Sequence, residues 1–160
     1  MKQRAHAMVS LYVDADACPV KEETVRVAER HGLRVVMVSD GGLRPHPHPL
    51  VETVAVAQGA DAADDWIADR IGPGDICVTN DIPLAARCLK FNAHALKPNG
   101  EPFTPDGIGM ALAGREIARH RRETGAGGGG PPPFSKADRS RFLDRLETMV
   151  RAASRAASDG

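Results

Sequence analysis

The chain has 160 residues, which suits one domain with a sizeable core. Its apolar fraction is 42% and its aromatic fraction 4%, so Ala, Val, Ile and Leu must build that core, and an aromatic sheet for stacking bases is disfavoured. Formal net charge is zero but unevenly spread: residues 1–114 hold 11 Lys/Arg against 15 Asp/Glu, and residues 115–160 hold 10 against 6.

An acidic body with a basic tail suits a cation site beside a grip for a polyanion, and the tail reads equally well as a solvated helix. Cys18, Cys77 and Cys88 form neither a CxxC pair nor an even framework, which argues against a disulfide scaffold and a zinc ribbon and for a reducing compartment. Lys2 and Arg4 precede an apolar stretch broken by His6 and Ser10, a poor signal peptide. No run approaches the roughly 20 apolar residues of a membrane span. The expectation is a cytoplasmic protein without a membrane segment.

Met8–Val13 is short, apolar and β-branched, the pattern of a buried first strand. It runs into Asp14-Ala15-Asp16-Ala17-Cys18-Pro19, and Pro19 suits the first turn of a helix over Val20–Arg30, where Val20, Thr24, Val27 and Ala28 share one face. His31-Gly32 supplies the stop. A second strand over Leu33–Val38 ends at Ser39-Asp40-Gly41-Gly42, and three alternating prolines make Arg44–Pro49 an extended loop. Its His46 and His48 read chiefly as parts of a stiff surface loop, with metal or phosphate contact as the other reading.

Val51–Ala57 is a third strand, followed by a helix over Asp61–Ile71 with Asp61 as its natural N-cap. Asp64 lies three residues before Ile67 and seven before Ile71, on their inward face, whereas Asp65 and Asp69 point to solvent. Asp75–Thr79 is a fourth strand, Ile82–Leu89 a helix with proline in its first turn, and Ala93–Leu96 a short fifth strand. A turn at Lys97–Glu101 leads to a helix from Thr104-Pro105-Asp106 to about Arg122. Gly125–Gly130 and Pro131–Pro133 have the composition of a mobile linker. Ser135-Lys136-Ala137-Asp138 resembles a capping box that starts a last helix, with Phe142, Leu146, Met149 and Val150 on one side and Arg139, Arg141, Arg145 and Arg151 mostly away from it. The alternation predicts an α/β fold: a three-layer domain over residues 1–124 with a mostly parallel sheet of about five strands, then a linker and basic C-terminal helix over 125–160.

Asp14 and Asp16 sit where a strand ends and a helix begins, the edge at which open parallel sheets bind ligands. Asp81 repeats that placement after the fourth strand. Each has a plainer reading: Asp14 bonding backbone in its turn, Asp16 and Asp81 as helix caps. Asp64 adds a carboxylate on an apolar face, which needs a partner. Gathered above the sheet edge, Asp14, Asp16, Asp64 and Asp81 would offer all-oxygen ligation, which selects Mg²⁺ or Mn²⁺ over zinc. Such a site suits in-line displacement at phosphorus, with Asp14, Asp64 and Asp81 as the catalytic acids. Ser39, Arg44, Thr79 and Asn80 are the candidates for binding substrate. No nucleophile elbow, P-loop or GxGxxG competes.

Val13-Asp14-Ala15-Asp16-Ala17-Cys18-Pro19, Gly59-Ala60-Asp61-Ala62-Ala63-Asp64, Thr79-Asn80-Asp81-Ile82-Pro83-Leu84-Ala85 and Phe134-Ser135 with Asp138-Arg139 together resemble the bacterial YaiI/YqxD family. That family is similar to PIN-like nuclease domains, whose pattern is an Asp after the first strand, an acid on a middle helix and a Thr-x-Asp-x-x-Leu before a later one. Asp14, Asp64 and the Thr79, Asp81, Leu84 run match in order. The helix acid is Asp64 here where PIN domains usually carry Glu, and Asp16 is the candidate for the fourth acid. The resemblance implies a metal-dependent, ribonuclease-like site with RNA as partner. Two other readings stay open. A haloacid-dehalogenase-type phosphatase would use Asp14 and Asp16 as nucleophile and acid/base, Ser39 for phosphate, and Asp75 with Asn80-Asp81 for metal; a nucleic-acid-binding or regulatory module would keep the acidic pocket without catalysis.

Overall fold

The computed structural model describes residues 8–59, 61–124 and 133–159, of which 121–124 and 159 by backbone alone. In chain order the elements are β1 (Ser10–Asp14), α1 (Lys21–His31), β2 (Arg34–Ser39), β3 (Val51–Ala55), α2 (Ala62–Arg70), β4 (Ile76–Val78), α3 (Ile82–Lys90), β5 (His94–Leu96), β6 (Pro102–Phe103), α4 (Ile108–Thr124) and α5 (Lys136–Asp159). One six-stranded sheet has the order β3-β2-β1-β4-β5-β6, parallel throughout except for the antiparallel β6. The fold is α/β, with the three layers of a PIN-like domain.

Period-two alternation explains the layers. Leu11, Val13, Val35, Met37, Ile76 and Val78 point to one face, where α1 and α5 cover them with Val20, Val27, Ala28, Phe142, Leu146 and Val150. Tyr12, Val36, Val38 and Cys77 point to the other, covered by Ile67 and Ile71 of the α2 region and by Leu84 and Cys88 of α3. The expected inward faces of α1 and α5 are therefore the ones buried, and all three cysteines are buried as free thiols. At the start of α5 the capping box forms: Ser135 N–H donates to Asp138 Oδ2 at 3.0 Å and Asp138 N–H to Ser135 Oγ at 3.1 Å. Gly32, at φ +66°, ends α1 by donating to Ala28 and Glu29 carbonyls.

Several local expectations need correction. The sheet has six strands rather than about five. Pro102-Phe103 adds an antiparallel edge pair after the turn closed by Lys97 N–H on the Glu101 carbonyl, and two residues carry no readable periodicity. Helix α1 begins at Lys21 with Val20 at its cap, so Pro19 lies ahead of the helix and Asp16 caps nothing there. Asp61 holds the N-cap position of α2 but makes no side-chain capping bond. The helix expected from Thr104 starts at Ile108, because Gly107 N–H is drawn into a turn by Thr104 Oγ1 at 3.0 Å. Loop 44–49 forms neither helix nor strand and bends from Pro47 onward, and both histidines fasten it to α1: His46 Nε2 lies 3.1 Å from Glu22 and His48 Nε2 2.8 Å from Glu29. Most of the predicted linker and the first seven residues lie outside the described residues.

The order 3-2-1-4-5 has a consequence for function. From β1 the chain runs outward through β2 to β3, then crosses back to β4 on the other side of β1. A crevice must open at the carboxyl ends of β1 and β4, where the connections diverge.

Candidate functional site at the sheet switch point

That crevice is a cleft of about 310 Å³ lined by Asp14, Asp16, Ala17, Cys18, Thr79, Asn80, Asp81 and Pro98. Asp14 is the last residue of β1, and the pairing of Val13 with Val78 sets it beside Thr79. Thr79 Oγ1 donates to Asp14 Oδ2 at 2.9 Å, and the same oxygen accepts the Asp81 backbone N–H at 2.9 Å. Asp81 in turn caps α3, accepting Leu84 N–H on Oδ1 at 2.8 Å. The capping and cleft-lining readings of Asp81 are thus both true of the one side chain.

Asp16 behaves differently. Its Oδ1 accepts from Ser39 Oγ at 2.7 Å and its Oδ2 from Asp40 N–H at 3.0 Å, tying the loop after β1 to the end of β2. Burial pushes its carboxyl up, but the Ser39 and Asp40 hydrogen bonds outweigh that and hold it below the ordinary value. Ser39 is buried and committed to Asp16 and the Gly41 carbonyl. Arg44 is exposed and is not among the cleft-lining residues. Asn80 is exposed and lines the cleft. Of the four candidates for substrate contact, the fold brings Thr79 and Asn80 to the cleft and leaves out Ser39 and Arg44.

Asp64 does not line the cleft either; it lies on α2, near enough to Asp81 and Asp14 for their charges to act on it. Burial, then the negative charges of Asp81 and Asp14, raise its carboxyl to about 7. The Asp14 carboxyl is raised too, by burial first; the Thr79 bond opposes this and the charges of Asp81, Asp16 and Asp40 add to it. Among the described residues no Lys or Arg lines the cleft, and the Lys21 charge acts from beneath the loop on Asp16. Among the described residues no three His, Cys, Asp or Glu side chains are drawn close enough to cage a metal ion. The donor set nonetheless fits a hydrated hard cation, which keeps several waters and takes only one or two protein carboxylates. Asp14 and Asp81 could supply them, each with one oxygen already oriented by a hydrogen bond.

The chain belongs to the YaiI/YqxD family. A family model described as "Uncharacterized BCR, YaiI/YqxD family" matches residues 12–152. The UPF0178 protein of Parvibaculum lavamentivorans is 62% identical over 148 residues, covering 92% of this chain and 97% of that one. The UPF0178 protein of Ruegeria pomeroyi is 59% identical over 151 residues (92% and 97%), and one of Rhodopseudomonas palustris 56% over 149 residues (93% and 94%). No solved structure matches the chain. The YaiI/YqxD match spans every cleft-lining residue, since Asp14 to Pro98 lie within it.

Three contributors went unread in the sequence. Lys21 Nζ reaches the Cys18 carbonyl at 3.2 Å and the Ala15 carbonyl at 3.4 Å, holding the loop from inside α1. Ala17 sits at φ +59°, a left-handed conformation that strains any residue with a Cβ. Pro98 forms the far wall. The Cys18–Lys21 spacing offered a weak signal for the first; only the fold brings the others into place.

Proposed function

We propose that this YaiI/YqxD protein is a divalent-cation-dependent phosphodiesterase acting on RNA, with Asp14 and Asp81 as the metal-holding acids and Asp64 behind them. The observation that carries the reading is the meeting of Asp14 and Asp81 on the Thr79 hydroxyl in one cleft, with no Lys or Arg among the described residues that line it, and with Asp64 nearby raised to about 7 by burial first and then by the charges of Asp81 and Asp14. A cleft of this charge repels phosphate unless a cation accompanies it. Mg²⁺ or Mn²⁺, when bound, supplies an acidified water and offsets charge on the oxygens of an in-line displacement.

The chain's own residues divide the remaining work. Thr79 orients Asp14 and ties down the backbone of Asp81. Asp81 is held by the first turn of α3. Asp64 holds a proton against the Asp81 carboxyl near neutral pH. Asp16, with Ser39 and Asp40, keeps the loop after β1 in shape. Asn80, exposed in the cleft lining, is placed to contact a substrate. RNA is the substrate that the PIN-like resemblance implies.

The phosphatase reading asks Asp75 to share the metal with Asp81. Asp75 is instead buried just before β4, at the opposite edge of the sheet, accepting the Ser10 and Gly72 N–H groups at 2.9 Å each. Ser39, its phosphate hydroxyl, is spent on Asp16. The test is Mn²⁺-dependent cleavage of single-stranded RNA by the pure protein, with Asp14→Asn and Asp81→Asn each abolishing it in a folded chain. Turnover of p-nitrophenyl phosphate without any RNA cleavage would replace the nuclease by a phosphatase. RNA binding with neither activity would replace it by a non-catalytic module.

A further inference from the structure

The cleft is lined by Asp14 at the end of β1 and Asp16–Cys18 beyond it, by Thr79–Asp81 after β4 and by Pro98 after β5; the strand order β1-β4-β5 puts the first and last of these at its outer sides, and α5 is bonded to the continuation of both. Arg139 Nη1 donates to the Pro19 carbonyl at 3.0 Å and to Glu23 Oε2 at 2.7 Å. Two residues on, Arg141 Nη1 donates to the Asn99 carbonyl at 3.2 Å. Next to it, Gly100 presses its backbone against the helix: a Cβ there would come within 2.8 Å of the Arg141 carbonyl carbon and 2.9 Å of Phe142 N. Phe142 is fully buried, which anchors this turn of α5 in the core.

We infer that the first two turns of α5 set the width of the cleft, with Arg139 and Arg141 as positioning residues that hold its Cys18-Pro19 and Pro98-Asn99 walls at a defined separation. Neither wall lies in a strand ladder: Asp16 and Lys21 brace the first locally and the Lys97–Glu101 turn closes the second, and α5 is bonded to both of them. The helix spans both, although none of its residues lines the cleft. The inference rests on the proposed function only in treating the cleft as the place of chemistry. A shift of about 1 Å in either wall would separate groups that must act together on a ligand.

Cys18 provides a direct reporter. It lines the cleft at 8% exposure, while Cys77 and Cys88 are fully buried and serve as internal controls. In the full-length chain, Arg139→Met, the Arg139→Met/Arg141→Met pair and Gly100→Ala are compared with wild type by N-ethylmaleimide labelling, read site by site by mass spectrometry. Mn²⁺ affinity is measured by water-proton relaxation. The expected result is Cys18 labelling faster by about tenfold, the ratio that loss of one charge-assisted hydrogen bond produces. Cys77 and Cys88 remain protected, and Mn²⁺ binds correspondingly more weakly. Labelling of Cys18 at the wild-type rate in folded Arg139→Met and in the folded arginine pair overturns the inference, as does a joint rise at all three cysteines, which reports general loosening. Should Gly100→Ala fail to fold, the arginine variants decide. Wild-type protein that binds no Mn²⁺ sinks the proposed function, while the labelling still decides the role of α5.

Discussion

Thr79 and Asp14, 65 residues apart in the chain, are joined by a 2.9 Å hydrogen bond across the boundary between β1 and β4. The bond belongs to the topology, since the two strands become neighbours only when the chain crosses back over β1. Because Thr79 Oγ1 also accepts Asp81 N–H, one hydroxyl organises two of the three acids that line the cleft. Thr79→Val leaves both groups without it and is expected to cost about 1–3 kcal/mol. The same change removes the influence that lowers Asp14, so its carboxyl titrates higher in carbon-detected NMR than in wild type. Thr79→Ser keeps the bond and both properties; an unchanged Asp14 titration in Thr79→Val would show that the bond does not matter.

Asp81 serves two ends at once, and two substitutions separate them. Asp81→Asn keeps an oxygen for Leu84 N–H and should melt near wild type while losing Mn²⁺-dependent RNA cleavage. Asp81→Ala loses the cap as well and should be about 1 kcal/mol less stable. Equal melting of the two variants would remove the capping role.

Asp64 sets a pH dependence whose sign is opposite to that of a salt-bridged acid. Its carboxyl stands at about 7 in the folded chain against 3.8 unfolded, so the unfolded state releases the proton first as pH rises. Its unfavourable contribution is therefore absent below 3.8, grows up to about 7 and is level above that. Asp64→Asn should raise the melting temperature at pH 8 by about 3 °C and leave it unchanged at pH 3.5. Mn²⁺ added to wild type at pH 8 should recover part of the same gain. A variant no more stable than wild type at pH 8 would contradict the crowding of charge at this point.

Asp16 works in the other direction. Its hydrogen bonds with Ser39 and Asp40 hold it below the ordinary carboxylate value, so its stabilising contribution is present above 3.8 and fades as pH falls through its folded value. Asp16→Asn should loosen the Ala15–Cys18 loop in hydrogen exchange, and weaken Mn²⁺ less than Asp14→Asn does. Equal losses of Mn²⁺ would place Asp16 among the ligands.

The basic C-terminal helix is part of the core. Phe142→Ala is expected to cost about 3–5 kcal/mol in chemical denaturation, as for a large aromatic lost from a close-packed interior. A deletion of residues 133–160 would strip Phe142, Leu146, Val150 and Ala153 from the α1 face, so RNA binding by this region is measured in the full chain. Arg139, Arg141 and Arg151 are already paired with Glu23, Asp138 and Glu147. Arg145→Glu with Arg155→Glu is the sharper probe. A salt dependence of RNA binding that this pair leaves unchanged would remove the helix from the RNA-binding surface.

What the sequence alone determined were the features governed by short-range rules. Short apolar, β-branched runs marked β1, β2 and β4, the Ser135–Asp138 box marked the start of α5, and acids at strand ends marked Asp14 and Asp81. The family resemblance was legible for the same reason, since its motifs are local runs. Tertiary structure decided which of those acids meet and what each one does. Asp14 faces Thr79 because β4 returns beside β1; Asp16 lines the cleft with its oxygens bonded to Ser39 and Asp40; Asp64 stays out of the cleft lining but close to Asp81 and Asp14; Asp75 stands at the far edge. Ser39, Arg44 and Pro98 show the physical reason. A residue's chemistry is written in its side chain, but its neighbours are set by how strands order themselves in the sheet, and no local pattern encodes that order.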